Sequence, residues 1–159
     1  MDRTRILVAG IGASLVLAMW EMIVEALIPD GAGFFGPPIA IGATIVRDLQ
    51  GSANPIPFDA LALVLGLMGH MMNSVILAVV FGVIASRLAL SAAGTVGLGM
   101  AWGAAVFVAM WFVVAPAIDP LMLNVNAAAF FAAHLMWGAA LGFIWTRYGS
   151  TGPTVNYAR

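Results

Sequence analysis

The chain has 159 residues, of which 63% are hydrophobic and 8% are charged, and its net charge is −1. A soluble domain carries about 25% charged residues, so this composition excludes a protein whose whole surface faces water. The absence of cysteine excludes disulfides, thiolate metal sites and cysteine nucleophiles. All six basic residues are arginine, which excludes lysine Schiff bases, and the net charge argues against nucleic acid as a partner. The composition therefore predicts an integral membrane protein.

A helix that crosses a bilayer needs about 20 consecutive, mostly apolar residues. Four stretches meet this requirement, at residues 6–28, 61–85, 96–118 and 123–145. We therefore predict an all-α fold, an integral membrane four-helix bundle that forms a single transmembrane domain over residues 1–159. The lipid bilayer is its first expected partner.

The distribution of arginine predicts the orientation of these four spans. Arg47 is the only arginine on one side of the membrane, and five arginines fall on the other side. These five are Arg3, Arg5, Arg87, Arg147 and Arg159. Because arginine accumulates on the cytoplasmic side, we predict that both termini are cytoplasmic. The alanine, glycine and arginine bias, together with the absence of cysteine, favours the inner (plasma) membrane of a bacterium.

The two halves of the chain share a pattern that predicts an internal repeat. Residues 18–20 and 109–111 both read Ala-Met-Trp, and each of these spans is followed by a proline. The second and fourth spans align on His70 and His134. We therefore predict two parallel helical-hairpin repeats. Their approximate bounds are 6–87 and 94–147.

The first repeat contains an insert that predicts a short helix outside the membrane. In segment 37–50 the apolar residues Ile41, Ile45 and Leu49 recur every four residues, with polar side chains on the other faces. This spacing is typical of an amphipathic helix that lies on the membrane surface. We expect this outer helix to act as a lid on the bundle, and the alternative is a docking site for a partner.

Small residues at four-residue spacing predict where helices approach closely. The third span contains Gly99 and Gly103, and the fourth contains Gly138 and Gly142. Such pairs allow backbones to come into contact. Ser74 and Ala78 are the counterpart in the second span. We expect these positions to pack spans two and four near the centre of the bundle, or alternatively one of these faces to mediate a homodimer.

Four ionisable residues lie inside the predicted spans, where such groups are costly and mark functional sites by default. They are Glu21, Glu25, His70 and His134. At a rise of about 1.5 Å per residue, both histidines lie near the middle of the bilayer and Glu21 lies about 12 Å below the surface. Glu25 is one turn nearer the surface and is expected to reach water.

The first chemistry that suits the two histidines is axial ligation of haem b. Two neutral imidazoles from different helices coordinate one iron in such sites. Glu21, Asn73 or Ser74 would then orient the ring nitrogens that do not bind the iron.

Three other interpretations of the histidines stay open. Copper(I) favours imidazole and thioether ligands, and Met68, Met72 and Met136 lie near the histidines in sequence. Proton transfer between Glu21 and the histidines is a further option. The remaining interpretation is structural, with each histidine donating a hydrogen bond that holds two helices together.

The sequence contains no pattern of a hydrolase triad, a paired-carboxylate site or a phosphate-binding loop, so an enzyme that acts alone is not expected. The leading prediction is a non-catalytic polytopic membrane protein, a structural or accessory subunit of a homo-oligomer or larger membrane complex. The alternative is a haem b or copper-binding protein of electron transfer or metal handling that uses His70 and His134.

These features together resemble a family of small bacterial four-span membrane proteins that have a histidine in the second and fourth spans. The matching positions lie between residues 6 and 146. They are Gly12, Ala13, Met19, Pro29, His70, Gly82, Met110, Trp111, Pro120, His134, Gly138 and Gly142. Glu21, Glu25 and the number of methionines depart from the family pattern. The resemblance implies the four-span fold and no particular activity.

Overall fold

The computed structural model describes residues 2–149, and the regular elements of this range are all helical. Its five helices are α1 (Arg3–Leu27), α2 (Gly36–Gly42), α3 (Ala60–Leu88), α4 (Ala92–Ile118) and α5 (Ala127–Gly149). All of them except α2 are long and apolar enough to cross a membrane. The prediction of an all-helical fold with four helices long and apolar enough to span a membrane is therefore confirmed.

Each long helix begins at a polar residue whose side chain caps the first turn. Asp2, Asp59, Ser91 and Asn126 accept hydrogen bonds of 2.7–3.2 Å from backbone amides two or three residues further on. These amides have no partner within the helix, so a side-chain acceptor at this position stabilises the helix start. The polar residues between the spans therefore set the helix boundaries.

The two inner helices of the bundle are α1 and α5. Helix α1 packs against α3 on one side and α5 on the other, and α4 packs along α5. The Arg5 side chain donates a 2.7 Å hydrogen bond to the Trp145 carbonyl, which places the start of α1 beside the end of α5. We call this end of the bundle the terminal side, and the opposite end, which carries residues 28–59, the long-loop side.

Helices α3 and α4 are consecutive in the chain but make few contacts along their length. They are joined by a tight turn at Ala89, which has the positive φ of 45° that ends α3. Beyond this turn the two helices make few contacts. If a two-fold axis related the two hairpins, α3 would pack on α4 in the same way as α1 packs on α5. Helices α3 and α4 make few contacts, so the internal repeat remains a prediction from the sequence.

The four predicted packing glycines lie together, between α4 and α5. A Cβ atom on Gly99 or Gly138 would overlap the backbone carbonyl of the other, and one on Gly103 would overlap the His134 carbonyl. Gly142 similarly faces the backbone at Thr95. The expectation that these residues pack spans two and four is therefore wrong, because the two glycine pairs fit each other across spans three and four.

The third span changes helix type as it approaches the long-loop side. Residues Met110–Val114 form a π-helical segment, in which the Ala115 amide bonds to the Met110 carbonyl. Pro116 follows, and its ring nitrogen carries no hydrogen to donate. A π-helical turn widens the helix at this point and changes the direction in which its side chains project. Met110 lies at the start of this segment and reaches the bundle interior.

The insert forms a shorter and more deeply buried helix than segment 37–50 was expected to form. Helix α2 ends at Gly42, and only a 3₁₀ turn at Arg47–Leu49 follows. Its buried residues include Pro37, Pro38 and Ile39, whereas Ile45 is exposed. The physical reason is close backbone contact with α3, because a Cβ atom on Gly42 would overlap the Ala62 carbonyl. The four-residue spacing of Ile41, Ile45 and Leu49 is therefore not what buries this segment.

Polar contacts fasten the chain after α2 to the connection between α4 and α5. The Gln50 side chain donates to the Ala43 carbonyl at 3.0 Å and to Asp119 Oδ1 at 2.7 Å, and it accepts from the Leu121 amide at 3.0 Å. Burial raises the pKa of Asp119, although Gln50, the charge of Arg47 and the Met122 amide oppose the shift. These contacts join the two halves of the bundle on the long-loop side.

Candidate functional site

Glu25 is buried and has two strong hydrogen-bond partners. It is 1% exposed, and its carboxylate accepts from the Ala32 amide at 2.8 Å and from the Asn126 amide at 2.7 Å. Asn126 caps α5, so the carboxylate lies where the helix dipole favours negative charge. The expectation that Glu25 reaches water is therefore wrong. Glu25 joins the end of α1 to the loop before α2 and to the start of α5.

Glu21 lies one turn earlier on α1 and has no such partners. It is 2% exposed, its Oε1 atom is fully enclosed, and that atom has no hydrogen-bond partner in the described part of the chain. An unpaired carboxyl group in a low-dielectric interior is costly unless it takes up a proton or meets a positive charge. Ser14 Oγ and Trp102 Nε1 are also unpaired within the described spans, but Glu21 is the ionisable residue among the three.

Glu21 borders a cavity of about 90 Å³ that lies among all four spanning helices. The cavity separates the apolar core of the terminal side from that of the long-loop side. Its polar lining comes from α1, α3 and α5, and consists of Glu21, His70, Asn73, Ser74 and His134. The structure thus brings both predicted histidines to one cavity, together with the three polar residues that were expected near them.

Hydrogen bonds to backbone carbonyls determine the tautomer of both neutral histidine rings. His70 Nε2 lies 3.2 Å from the Ser14 carbonyl, and His134 Nδ1 lies 2.8 Å from the Phe130 carbonyl. A carbonyl oxygen only accepts, so each of these nitrogens carries the hydrogen when the ring is neutral. The other nitrogens, His70 Nδ1 and His134 Nε2, are left as acceptors. These carbonyls, rather than Glu21, Asn73 or Ser74, orient the imidazoles.

Ser74 has a structural part in the wall of the cavity. Its hydroxyl donates to the Gly10 carbonyl at 2.7 Å and accepts from Trp137 Nε1 at 2.8 Å. The hydroxyl therefore links α1, α3 and α5 within the membrane. Asn73 is one residue earlier on α3 and is exposed where it lines the cavity. The Asn73 amide thus lies at the mouth of the cavity.

The methionines that were predicted as soft ligands lie on the outer surface of the bundle. Met68, Met72 and Met136 are 65%, 64% and 37% exposed, and none of them lines the cavity. Met110 and Met122 line it instead. The sequence signal for Met110 is its place in the repeated Ala-Met-Trp of residues 109–111. Met122 has no such signal, because it reaches the cavity from the 3₁₀ turn between α4 and α5.

Two aromatic side chains complete one wall of the cavity. Phe130 and Trp137 come from α5 and flank His134 on the same helix. The Phe130 ring centre lies 4.3 Å from that of His134. The faces of aromatic rings are electronegative and attract cations. The cavity therefore combines hydrogen-bond acceptors with aromatic faces.

The geometry of the cavity does not fit haem b. Its volume of about 90 Å³ is well below the roughly 300–1,000 Å³ of clefts that hold cofactor-sized ligands, so the cavity has no room for a porphyrin. Among residues 2–149, no three His, Asp or Glu side chains are grouped closely enough to hold a metal ion. A metal site here would need the thioethers of Met110 or Met122 to complete it.

Comparisons with protein-family models, with curated proteins and with solved structures give no match for this chain. The resemblance to small four-span bacterial proteins therefore stays a prediction. The cavity and the residues that line it are the features of this chain that indicate a function.

Proposed function

We propose that this protein is a non-catalytic accessory protein of a bacterial inner membrane that binds a small polar ligand in the cavity beside Glu21. Both termini are cytoplasmic in this proposal, and the protein acts as a homo-oligomer or within a larger membrane complex. The observation that carries the proposal is the buried Glu21 carboxyl, which borders a cavity and whose Oε1 has no hydrogen-bond partner among residues 2–149.

The hydrogen bonds separate structural polar residues from residues that are available to a ligand. Ser74 and Glu25 are buried and bond to other parts of the chain, so their polar atoms stabilise the bundle. Within the described part of the chain, the His134 ring forms its hydrogen bond with a carbonyl of its own helix, and Glu21 Oε1 has no hydrogen bond. A polar group inside the membrane that holds no helices together is explained by a ligand, since it otherwise only lowers stability.

Access to the cavity is tested most directly by cysteine labelling, because the chain has no cysteine of its own. We expect Met110→Cys in native membranes to react with methyl methanethiosulfonate. The matched control is Met68→Cys on the lipid-facing surface, which we expect to stay unreactive because a thiol needs water to form the reactive thiolate. Total thiol is measured after denaturation. A Met110→Cys variant as unreactive as Met68→Cys contradicts the proposal.

Copper(I) is the second candidate ligand, and the thioethers of Met110 and Met122 favour it. They line the cavity together with His70 and His134, and copper(I) prefers thioether and imidazole ligands. The test is an anaerobic titration with copper(I) against a coloured chelator. Copper(I) binding that is lost in Met122→Leu and retained in Met72→Leu supports copper as the ligand. Equal binding in the two variants excludes copper as the ligand of this cavity.

A further inference from the structure

The cavity that carries the proposed function also indicates the charge of its ligand. We propose that the ligand is a small ammonium cation, with the Glu21 carboxylate as its counter-charge and His70 and His134 as hydrogen-bond acceptors. This inference rests on the proposed function and adds a ligand class to it.

Apart from the Asn73 amide at its mouth, the polar side chains that line the cavity offer hydrogen-bond acceptors. An ionised carboxylate accepts only, and His70 Nδ1 and His134 Nε2 carry lone pairs because their ring partners bond to carbonyls. The hydrogen of the Ser74 hydroxyl is already donated to the Gly10 carbonyl. Within residues 2–149 no arginine lines the cavity. Positive charge is the component that this lining lacks, and an ammonium ligand supplies it together with N–H donors for the acceptors.

The size and the walls of the cavity restrict this cation further. A volume of about 90 Å³ admits a ligand of only a few non-hydrogen atoms. Phe130 and Trp137 offer aromatic surface to an alkylammonium group, which is the interaction that aromatic cages use for such ligands. The carboxyl and the two imidazoles come from α1, α3 and α5 and do not form a compact metal-binding group. An ammonium ion, whose N–H bonds point in different directions, suits acceptors on separate helices.

The test uses methylammonium chloride as the probe and sodium chloride at equal ionic strength as the reference. We expect methylammonium to raise the unfolding temperature of the purified protein and to slow the modification of Met110→Cys. Glu21→Gln should weaken this binding about tenfold or more, because it removes the charged acceptor. Glu25→Gln is the matched control on the same helix, and it should retain the methylammonium effect relative to its own baseline.

The outcomes separate this inference from the proposed function. If Met110→Cys reacts and acetate or methanol protects it while methylammonium does not, the cavity binds a ligand of another class and the inference is overturned. The same holds if methylammonium protects Glu21→Gln as well as the unaltered protein. An unreactive Met110→Cys overturns the inference together with the proposed function.

Discussion

Two glutamates one turn apart on α1 should respond in opposite ways to the same substitution. Glu25→Gln keeps the size of the side chain and retains one acceptor oxygen, but it places an NH₂ group against one of two backbone amides. These are the amides of Ala32 and Asn126, at 2.8 and 2.7 Å. Glu21→Gln removes no hydrogen bond from Oε1, which has none in the described chain. The two substitutions therefore test whether burial or hydrogen bonding determines what a carboxyl group contributes to the free energy of unfolding.

The expected size of the effect follows from these contacts. A hydrogen bond to a charged group contributes about 1.5–3 kcal/mol, and a carboxylate at a helix N-terminus adds about 0.3–1 kcal/mol. Losing one bond and the charge should lower the free energy of unfolding of Glu25→Gln by about 2–4 kcal/mol. Glu21→Gln should leave it equal to or above that of the unaltered protein, because the substitution replaces an unpaired carboxyl with a neutral amide.

The assay is reversible unfolding by sodium dodecyl sulfate in mixed micelles, followed by tryptophan fluorescence. Both variants are compared with the unaltered protein at the same pH and detergent composition. Equal losses for the two variants, or a larger loss for Glu21→Gln, would refute the assignment of Glu25 to structure and Glu21 to the cavity.

Three further predictions concern the packing and the long-loop side. Gly138→Ala should lower the free energy of unfolding by about 1–3 kcal/mol or more, because the new Cβ overlaps the Gly99 carbonyl. Gly97→Ala on α4 meets open space, so it should leave stability unchanged or raise it, and equal losses in the two variants would contradict the packing. Gln50→Ala loses three hydrogen bonds and should cost about 1–3 kcal/mol in thermal unfolding, so an unchanged melting temperature would show that this link is not needed. Burial raises the pKa of the Asp119 carboxyl above its ordinary 3.8, so the folded state keeps the carboxyl proton to a higher pH than the unfolded state does. The free energy of unfolding should therefore fall as the pH rises from about 3.8 to the raised pKa of the folded state. Asp119→Asn should remove this part of the pH dependence, and an unaltered pH profile would count against it.

The spans were predictable because the signal for them is local. Each spanning helix needs enough consecutive apolar residues to cross the bilayer, and this property can be counted along the sequence. The predicted start of the second span at residue 61 lies one residue from the observed start of α3 at Ala60. The fourth span begins later than predicted, because Pro120–Asn124 forms a 3₁₀ turn and Asn126 caps the helix. Capping is also local, but hydrophobicity alone does not detect it.

The candidate site was predictable only in part. Its histidines were identified because ionisable residues are rare within spans, and Glu21 was identified for the same reason. Closeness in sequence to the histidines predicts Met68, Met72 and Met136 as ligands, but these residues do not line the cavity. On a helix, residues one or two positions from a histidine project from other faces, so Met68 and Met72 face outward while His70 faces the cavity.

By itself, the sequence determined that four segments are long and apolar enough to cross a membrane, because length and apolarity are properties of each segment alone. Only the tertiary structure decided which helix lies beside which. That choice pairs the glycines of α4 with those of α5 and gives Glu25 two amides that Glu21 lacks. It also brings His70 and His134 to one cavity. The physical reason is that backbone contact and hydrogen bonding depend on positions distant in the chain, which no local pattern records.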